Sequence, residues 1–236
     1  VKSVQHGIRV TSVESLGSGV ASIHMSGRNL RTLGSSGGQY FVWRFWTAKT
    51  WWHSHPISLS AAPTNTSARI TVRALGDGTT RLGRLPRGTR VSIEGPYGLF
   101  TDAGRTSPKL AIVAAGIGIT PVRALLEDSR VVPGETTILL RGSHEGENFL
   151  WDEMRQLAHD RGARFYSSVG RRARHAHSWL AAEDVRRNVT LTSVFPDLKN
   201  SDLYICGPQA WTDAVVADAR ESGIPDHQIH MERFDW

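Results

Sequence analysis

The chain has 236 residues, of which 39% are hydrophobic and 21% are charged, and this length and composition predict a globular protein of two domains. The net charge of +6 suits an anionic ligand, but the basic residues are dispersed and match no nucleic-acid-binding module, so we expect no DNA or RNA partner. The single cysteine, Cys206, excludes an intrachain disulfide and a four-cysteine metal site, and no apolar run reaches the roughly 18 residues of a membrane helix.

Short β segments separated by Gly, Pro and Ser turns dominate the first part of the chain. β-Branched and aromatic residues form these runs, which is typical of strands. The predicted strands cover residues 8–14, 20–26, 39–46, 57–60, 68–75 and 90–94. Six short strands within roughly 100 residues predict an antiparallel six-stranded β-barrel.

Strands and helices alternate in the rest of the chain. The polar segment 102–108 marks the boundary, so we predict one domain over residues 1–103 and a second over residues 104–236. The predicted strands are 110–114, 136–141, 164–169 and 203–206, and the predicted helices are 121–128, 148–159, 209–222 and a short one near Trp179. Such alternation predicts a doubly wound α/β domain with a parallel sheet, whose ligand binds at the carboxyl ends of the strands.

A glycine turn joins the first strand of this second domain to its first helix. Gly116 and Gly118 are expected to let the backbone turn tightly and approach a phosphate, and Thr120 is expected to cap the helix. The free N–H groups of a first helical turn favour an anion there. The third glycine of the dinucleotide fingerprint is absent, so an ordinary strand-to-helix turn without a ligand is the alternative.

Further motifs follow one another in a characteristic order. They are His55-Pro56-Ile57-Ser58, Gly76-Asp77-Gly78-Thr79-Thr80, Gly95-Pro96-Tyr97-Gly98, Cys206-Gly207-Pro208 and the carboxyl-terminal Glu232-Arg233-Phe234-Asp235-Trp236. Together with the glycine turn, they make the chain resemble the ferredoxin:NADP reductase superfamily over nearly its whole length. The His-Pro-x-Ser motif stands where plant-type members carry Arg-x-Tyr-Ser, which narrows the resemblance to the ferric reductase and NADPH oxidase branch.

The resemblance implies an FAD site in the barrel. Ser58 would hydrogen-bond the flavin near N5, and the hydroxyl and N–H groups of Thr79 and Thr80 would bind the FAD pyrophosphate. Trp236 would shield the flavin, with Phe234 as the alternative. The implied FAD-binding residues are His55, Pro56, Ile57, Ser58, Arg73, Ala74, Gly78, Thr79, Thr80 and Trp236.

Two positions depart from the family pattern. Ile57 stands where an aromatic residue is usual, which reduces packing against one face of the flavin. His55 replaces an arginine, and its charge is expected to vary near neutral pH because the unperturbed pKa of histidine is about 6.5. An ordinary barrel histidine is the alternative role for His55.

The resemblance also implies a nicotinamide nucleotide site. The glycine turn would hold the pyrophosphate, and Cys206-Gly207-Pro208 would border the nicotinamide ring. Ser58, Cys206 and Trp236 would then lie at the reacting atoms. The implied NAD(P)-binding residues are Gly116, Ile117, Gly118, Thr120, Arg141, Ser168, Arg171, Arg172, Cys206, Gly207 and Pro208.

Arginines favour NADPH as the reduced nucleotide. Arg141, Arg171 and Arg172 fall where family members seat the adenosine 2′-phosphate, and a guanidinium binds phosphate well. Glu145 and Glu147 lie near the position of a ribose-binding carboxylate, so NADH is the alternative.

The role of Cys206 has two alternatives. It tunes the geometry of hydride transfer, or it is simply a small buried residue. No activating base or cation adjoins it, so we assign it no nucleophilic role.

The function implied by the resemblance is that of a flavoprotein dehydrogenase. It would pass hydride from NAD(P)H to FAD and then single electrons to the haem of a transmembrane ferric-reductase-like or NADPH-oxidase-like domain. Because the chain begins at Val1, this partner domain is expected upstream. The whole protein would then lie at the cytoplasmic face of a membrane, and this fragment alone would be soluble.

Trp46, Trp51 and Trp52 are expected to form an exposed loop that faces the membrane or the partner. Two other functions stay open. One is a soluble reductase of a ferredoxin, an oxygenase or an iron chelate. The other is a non-catalytic flavin-binding or nucleotide-binding docking module.

Overall fold

Two sheets of opposite character are built from successive parts of the chain. The computed structural model describes residues 5–173 and 178–233. Within these residues, the first part forms a six-stranded antiparallel sheet and the second part forms a five-stranded parallel sheet with helices. This architecture confirms the predicted fold class. Strand β6 ends at Tyr97 and strand β7 begins at Lys109, so the predicted boundary at residue 103 falls in the connection between the sheets, and it stays a prediction.

The antiparallel sheet closes on itself. Its strands are β1 (Arg9–Gly17), β2 (Val20–Ser26), β3 (Tyr40–Trp46), β4 (His55–Ser58), β5 (Ser67–Arg73) and β6 (Arg90–Tyr97), in the order β4-β3-β6-β1-β2-β5. Leu59, directly after β4, bridges Ile70 of β5, so the two outer strands meet and the sheet forms a barrel.

Alternation along β3 fills the barrel. Phe41, Trp43 and Phe45 are fully buried, while the intervening side chains point outward, as the period of a strand requires. The indole N–H of Trp43 donates to the carbonyl of Ile57 at 2.8 Å, which satisfies a buried donor and attaches β4 to the core. The barrel core therefore holds the His-Pro-x-Ser segment in place.

The parallel sheet carries helices on both faces. Its strands are β7 (Lys109–Ala115), β8 (Thr136–Gly142), β9 (Arg164–Val169), β10 (Ser201–Gly207) and β11 (Ile229–Arg233), in the order β11-β10-β7-β8-β9. Within the described residues, the helices whose bounds are defined are α1 (Asp77–Leu82), α2 (Ile119–Asp128), α3 (Trp151–Asp160), α4 (Ala182–Arg186), α5 (Leu191–Val194) and α6 (Gln209–Glu221). Helices α2 and α3 bury their apolar sides against one face of the sheet, and α6 packs with Trp179 against the other.

Short 3-10 turns connect several of these elements. They span Leu30–Leu33, Asp102–Gly104, Gly116–Gly118, Glu145–Glu147, Leu198–Asn200 and Asp226–Gln228. The turn Gly116–Gly118 leads directly into α2, so the helical path starts several residues before the predicted position 121.

Some elements differ from the sequence predictions. Residues 76–78 were expected to form a turn, but helix α1 begins at Asp77 because the Thr79 hydroxyl accepts hydrogen bonds from the N–H groups of Leu75 and Gly76, at 2.9 and 3.2 Å. Strand β11 and helix α5 were not predicted. Strand β11 forms because its backbone pairs in parallel with β10, an interaction that local sequence does not reveal.

Charged side chains join the barrel to the parallel-sheet part. Arg69 of β5 donates to both carboxylate oxygens of Glu153 on α3, at 2.9 and 2.8 Å, and Arg123 of α2 lies 2.8 Å from the same carboxylate. Burial tends to raise the pKa of Glu153, but the two arginines outweigh burial and lower it. The carboxylate is therefore ionised at neutral pH and connects elements of both parts.

Close backbone packing adds to this connection. A side chain at Gly37 would place its Cβ 2.2 Å from the carbonyl oxygen of Ala124 in α2. The N–H of Gly37 also donates to the carboxylate of Asp128 at 2.9 Å. Gly37 therefore lets the loop before β3 lie directly on helix α2.

Candidate functional site

A largely apolar cavity of about 400 Å³ lies where the barrel meets the glycine turn of the parallel sheet. Both parts of the chain contribute to its walls. The lining includes His55, Pro56, Ile57, Ser58, Arg73, Gly78, Thr79, Ile117 and Thr120. The structure thus brings together most of the residues expected to bind FAD with two expected to bind the nucleotide. Ala74 and Thr80 are not among the lining residues.

Two buried polar atoms in this cavity lack a partner. Among the described residues, neither the Ser58 hydroxyl nor Nε2 of His55 has a hydrogen-bond partner, and Ser58 is only 1% exposed. Buried polar groups are normally hydrogen-bonded, so these two fit a ligand with polar atoms at the edge of a flat apolar ring. This is the chemistry of the FAD isoalloxazine group.

The pKa of His55 is lower than that of an unperturbed histidine. Burial lowers the pKa of His55, and the neighbouring His53 lowers it further. Both effects favour the neutral imidazole, so His55 loses its proton at a lower pH than an unperturbed histidine. Gly78 lies against this ring, since a Cβ at Gly78 would be 3.2 Å from it.

The threonines of α1 are engaged locally. The hydroxyl groups of Thr79 and Thr80 both donate to the carbonyl of Gly76, at 3.1 and 2.9 Å. In this conformation they stabilise the start of the helix. Their predicted role as donors to a pyrophosphate stays a prediction.

The two glycines of the turn are required for different reasons. Gly116 has a φ of +55°, in the left-handed region that favours glycine. Gly118 has a helical φ, but a Cβ there would lie 2.3 Å from the carbonyl oxygen of Cys206. Gly118 therefore makes room for the end of β10, a constraint that the phosphate interpretation of the sequence did not foresee.

Thr120 does not cap helix α2. The helix begins at Ile119, one residue earlier, and the Thr120 hydroxyl donates to the carbonyl of Ile117 at 3.1 Å. The capping prediction is wrong because the 3-10 turn leads directly into the helix.

Cys206 is the last residue but one of β10, next to Gly118 of the glycine turn, and is fully buried. Burial and the nearby Glu232 raise the pKa of its thiol well above the usual value, so it stays protonated at neutral pH. The next residue, Gly207, lies under the ring of Trp211, where a Cβ would approach the ring to 2.7 Å. Gly118 and Gly207 thus allow the turn, the strand end and Trp211 to pack in direct contact.

Glu232 is a titratable group beside Cys206 to which sequence reasoning assigned no role. It pairs with Cys206 across β10 and β11, and burial raises the pKa of its carboxyl to about 7. Its place in the carboxyl-terminal motif was the available sequence signal. Trp236 and Phe234, the predicted flavin shields, lie outside the described residues.

Most of the residues expected at the adenosine 2′-phosphate are already engaged. Arg141 is 5% exposed and donates to the carbonyls of Gly142, Ser168 and Gly170. The Ser168 hydroxyl donates to Asp184 at 2.5 Å. The terminal nitrogens of Arg141 and the hydroxyl of Ser168 are thus taken by other groups of the chain, while Nε of Arg141 is buried with no hydrogen-bond partner among the described residues. The predicted role of both residues at the 2′-phosphate stays a prediction.

The neighbouring arginines differ in their surroundings. Arg172 donates to the carbonyls of Ser178 and Ala210, at 2.7 and 3.3 Å, and so braces the loop after β9 against α6. Arg171 is exposed. Of these arginines, Arg171 is therefore the best placed to meet a phosphate from solvent.

The tryptophans near the cavity are exposed, as predicted. Trp46, Trp51 and Trp52 are 49%, 51% and 50% exposed. Trp46 ends β3 and does not belong to the loop, contrary to expectation. From Trp51, ring contacts run through Trp52 and His53 to His55, with centroid separations of 5.6, 5.4 and 6.3 Å. This aromatic surface is therefore continuous with the cavity.

None of the helices described is long and apolar enough to cross a membrane.

The raised pKa of Glu232 makes a prediction about stability. A carboxyl whose folded-state pKa of about 7 exceeds its unfolded value favours folding when protonated, so this contribution is full below the unfolded value and disappears as the pH rises through 7. Glu232→Gln should remove that part of the pH dependence. Urea unfolding at pH 5, 6 and 8 measures it, with Glu221→Gln on α6 as the matched control. Equal pH dependence in wild type and Glu232→Gln would contradict the assignment.

Two family models match successive parts of the chain. An FAD-binding domain matches residues 5–101, and an oxidoreductase NAD-binding domain matches residues 112–217. The cavity between the sheets lies where these two ranges contribute their glycine-rich segments. The models support FAD and a nicotinamide nucleotide as the cofactors.

Individual proteins show the same relationship. Ferredoxin–NADP reductase B of Sorangium cellulosum is 32% identical over 171 residues, which cover 68% of each chain. A flavohemoprotein of Xylella fastidiosa is 24% identical over 84% of this chain and 50% of its own length. This chain spans about half the length of the flavohemoproteins it matches.

Among solved structures, a ferredoxin NADP+ reductase from Neisseria gonorrhoeae with bound FAD and NADP superposes with a TM-score of 0.74. The superposition covers 96% of this chain and 97% of the reductase chain. At 14% sequence identity, it shows that the two proteins share a fold. The motifs and these matches place the chain in the ferredoxin:NADP reductase superfamily, to which it belongs.

Proposed function

We propose that this chain is a reductase module that transfers hydride from NAD(P)H, with NADPH preferred, to FAD. The observation that carries this proposal is the pair of buried, unpartnered atoms, the Ser58 hydroxyl and Nε2 of His55, in a cavity that the glycine turn also lines. FAD, when bound, would supply the chemistry of hydride acceptance followed by release of single electrons.

The protein's own part in this reaction is alignment and exclusion of water. The Ser58 hydroxyl would donate to the flavin from a position held by β4, and the apolar side chains of Pro56 and Ile57 would keep water from the ring. Gly118 and Gly207 allow the end of β10 to approach the cavity closely, so Cys206 and Pro208 would border the nicotinamide. The Cys206 thiol stays neutral and transfers no proton in this scheme.

The electron acceptor is the second element of the proposal. We favour the haem of a transmembrane ferric-reductase-like or NADPH-oxidase-like domain, because the His-Pro-x-Ser motif resembles that branch. In addition, Trp46, Trp51 and Trp52 are half-exposed, and ring contacts connect the last two to His55 of the cavity. These tryptophans would contact the membrane interface or the partner itself. Several relatives are flavohemoproteins, a name that indicates a flavin and a haem in one protein.

A soluble reductase is the second candidate, and relatives support it. A ferredoxin reductase and the ferredoxin reductase component of a 3-ketosteroid-9-alpha-monooxygenase both match this chain. The two candidates differ in the partner and share the same reaction at the flavin.

Anaerobic titration tests the reductase reaction. The FAD-loaded protein should lose its flavin absorbance when NADPH or NADH is added, and bleaching by neither nucleotide would exclude the function. Ser58→Ala should weaken FAD binding by about two- to tenfold, because one hydrogen bond of a buried hydroxyl is lost. Ser60→Ala serves as the control, since the Ser60 hydroxyl is also buried but accepts bonds from Arg69 and Thr71.

Nucleotide preference tests the role of the exposed arginine. Arg171→Gln should raise the KM for NADPH about tenfold or more and leave the KM for NADH nearly unchanged, because a charged hydrogen bond to the 2′-phosphate is lost. Arg186→Gln, at an exposed position on α4, is the control. Equal losses with both nucleotides would argue against a 2′-phosphate site at Arg171.

The aromatic surface has its own test. Trp51→Ser combined with Trp52→Ser should slow electron delivery to a haem domain joined to this module and weaken its association with membranes, while reduction of the flavin by NADPH stays normal. The matched control is Tyr166→Ser, a 44% exposed aromatic on β9. Unchanged membrane association and unchanged electron delivery would rule out this surface.

A further inference from the structure

The loop after β8 reaches back to the barrel beside the cavity. The hydroxyl of Ser18, in the turn between β1 and β2, donates to the carbonyl of Gly146 at 2.8 Å. One residue further, Oε1 of Glu147 lies 3.3 Å from a terminal nitrogen of Arg73, the last residue of β5. A carboxylate of the parallel-sheet part therefore contacts an arginine of the FAD cavity.

Glu147 is held in place independently of Arg73. Its other oxygen, Oε2, accepts hydrogen bonds from the N–H and the hydroxyl of Ser143, at 2.8 and 2.6 Å. Burial would raise the pKa of Glu147, but the Ser143 bonds and the Arg73 charge outweigh burial and lower it. With 12% of its side chain exposed, Glu147 is thus an ionised carboxylate in a fixed orientation.

Arg73 lies between the two predicted phosphate positions. Its side chain is 33% exposed and lines the cavity beside the start of helix α1. A Cβ built on Gly116 would be 3.9 Å from Nη1 of Arg73, so the guanidinium also lies next to the glycine turn. Because Gly116 has no side chain, nothing at that position separates the guanidinium from the backbone of the turn.

We propose that Arg73 is a shared ligand of both dinucleotides and that Glu147 is the residue that positions it, so that FAD and NADP(H) each increase the affinity of the protein for the other. This inference rests on the proposed function. A guanidinium has five donors in a rigid fork and can serve two phosphate groups at once. A cation shared by two diphosphates also reduces the repulsion between them.

Positioning by Glu147 would keep Arg73 available to both dinucleotides. Oε1 of Glu147 limits the rotamers of a long, partly exposed side chain, so the guanidinium stays between the two sites instead of turning toward one. Whichever dinucleotide binds first then leaves the guanidinium in place for the second. By thermodynamic linkage, the factor by which FAD raises NADP+ affinity equals the factor by which NADP+ raises FAD affinity.

Calorimetric titration of the flavin-free protein tests the coupling. FAD is titrated with and without saturating NADP+, which cannot reduce the flavin. In the wild type, NADP+ should lower the Kd for FAD by about fivefold or more, the usual lower range of coupling between sites. Glu147→Gln should reduce this factor to below about twofold. Glu145→Gln, at the exposed neighbouring carboxylate of the same 3-10 turn, should keep the wild-type factor.

A double-variant cycle separates positioning from a merely structural ion pair. In an Arg73→Gln background, Glu147→Gln should have no further effect on either Kd, because the residue it positions is gone. Additive effects of the two substitutions on the Kd values would overturn the inference. So would wild-type coupling in Glu147→Gln, or a wild type that binds both dinucleotides without coupling. A wild type that binds neither would overturn the proposed function as well.

Discussion

The close contact between the glycine turn and the end of β10 is the constraint on which the site depends. A Cβ at Gly118 would lie 2.3 Å from the carbonyl oxygen of Cys206, and one at Gly207 would lie 2.7 Å from the Trp211 ring. Atoms at such distances overlap, so both positions require glycine, whose side chain is a single hydrogen atom. The turn, the strand end and the indole therefore form a rigid base, and the cavity lies on its barrel side.

The second requirement is that the barrel keeps its orientation relative to this base. Glu153 is contacted by Arg69 of the barrel and Arg123 of helix α2, and Gly37 lies directly on the same helix. Exposed ion pairs contribute little by themselves. Here the Arg69 side chain is 14% exposed and Arg123 is 12% exposed, so both guanidinium groups are largely removed from water. Such contacts fix the orientation of two sheets that share few backbone hydrogen bonds.

Sequence patterns predicted most of the regular elements because the cause of each is local. Alternation along β3 and the apolar runs of β7, β8 and β10 reflect burial on one face or on both faces of a sheet. Strand β11 was missed because its residues are half-buried and partly polar, and its only distinguishing feature is pairing with β10. Helix α1 was mistaken for a turn because its start depends on side-chain bonds of Thr79.

The sequence by itself determined the family and the pair of cofactors, and it pointed to segments that line the cavity, because these depend on short motifs whose order along the chain is distinctive. Only the tertiary structure decided which of the polar groups in those segments are free. The terminal nitrogens of Arg141 and the hydroxyl of Ser168 are bonded to carbonyl and carboxylate oxygens of the chain, while the Ser58 hydroxyl is buried with no partner among the described residues. A residue's type shows what it can bind, but the neighbours that satisfy or leave open its hydrogen bonds come from distant parts of the chain and are known only once it has folded.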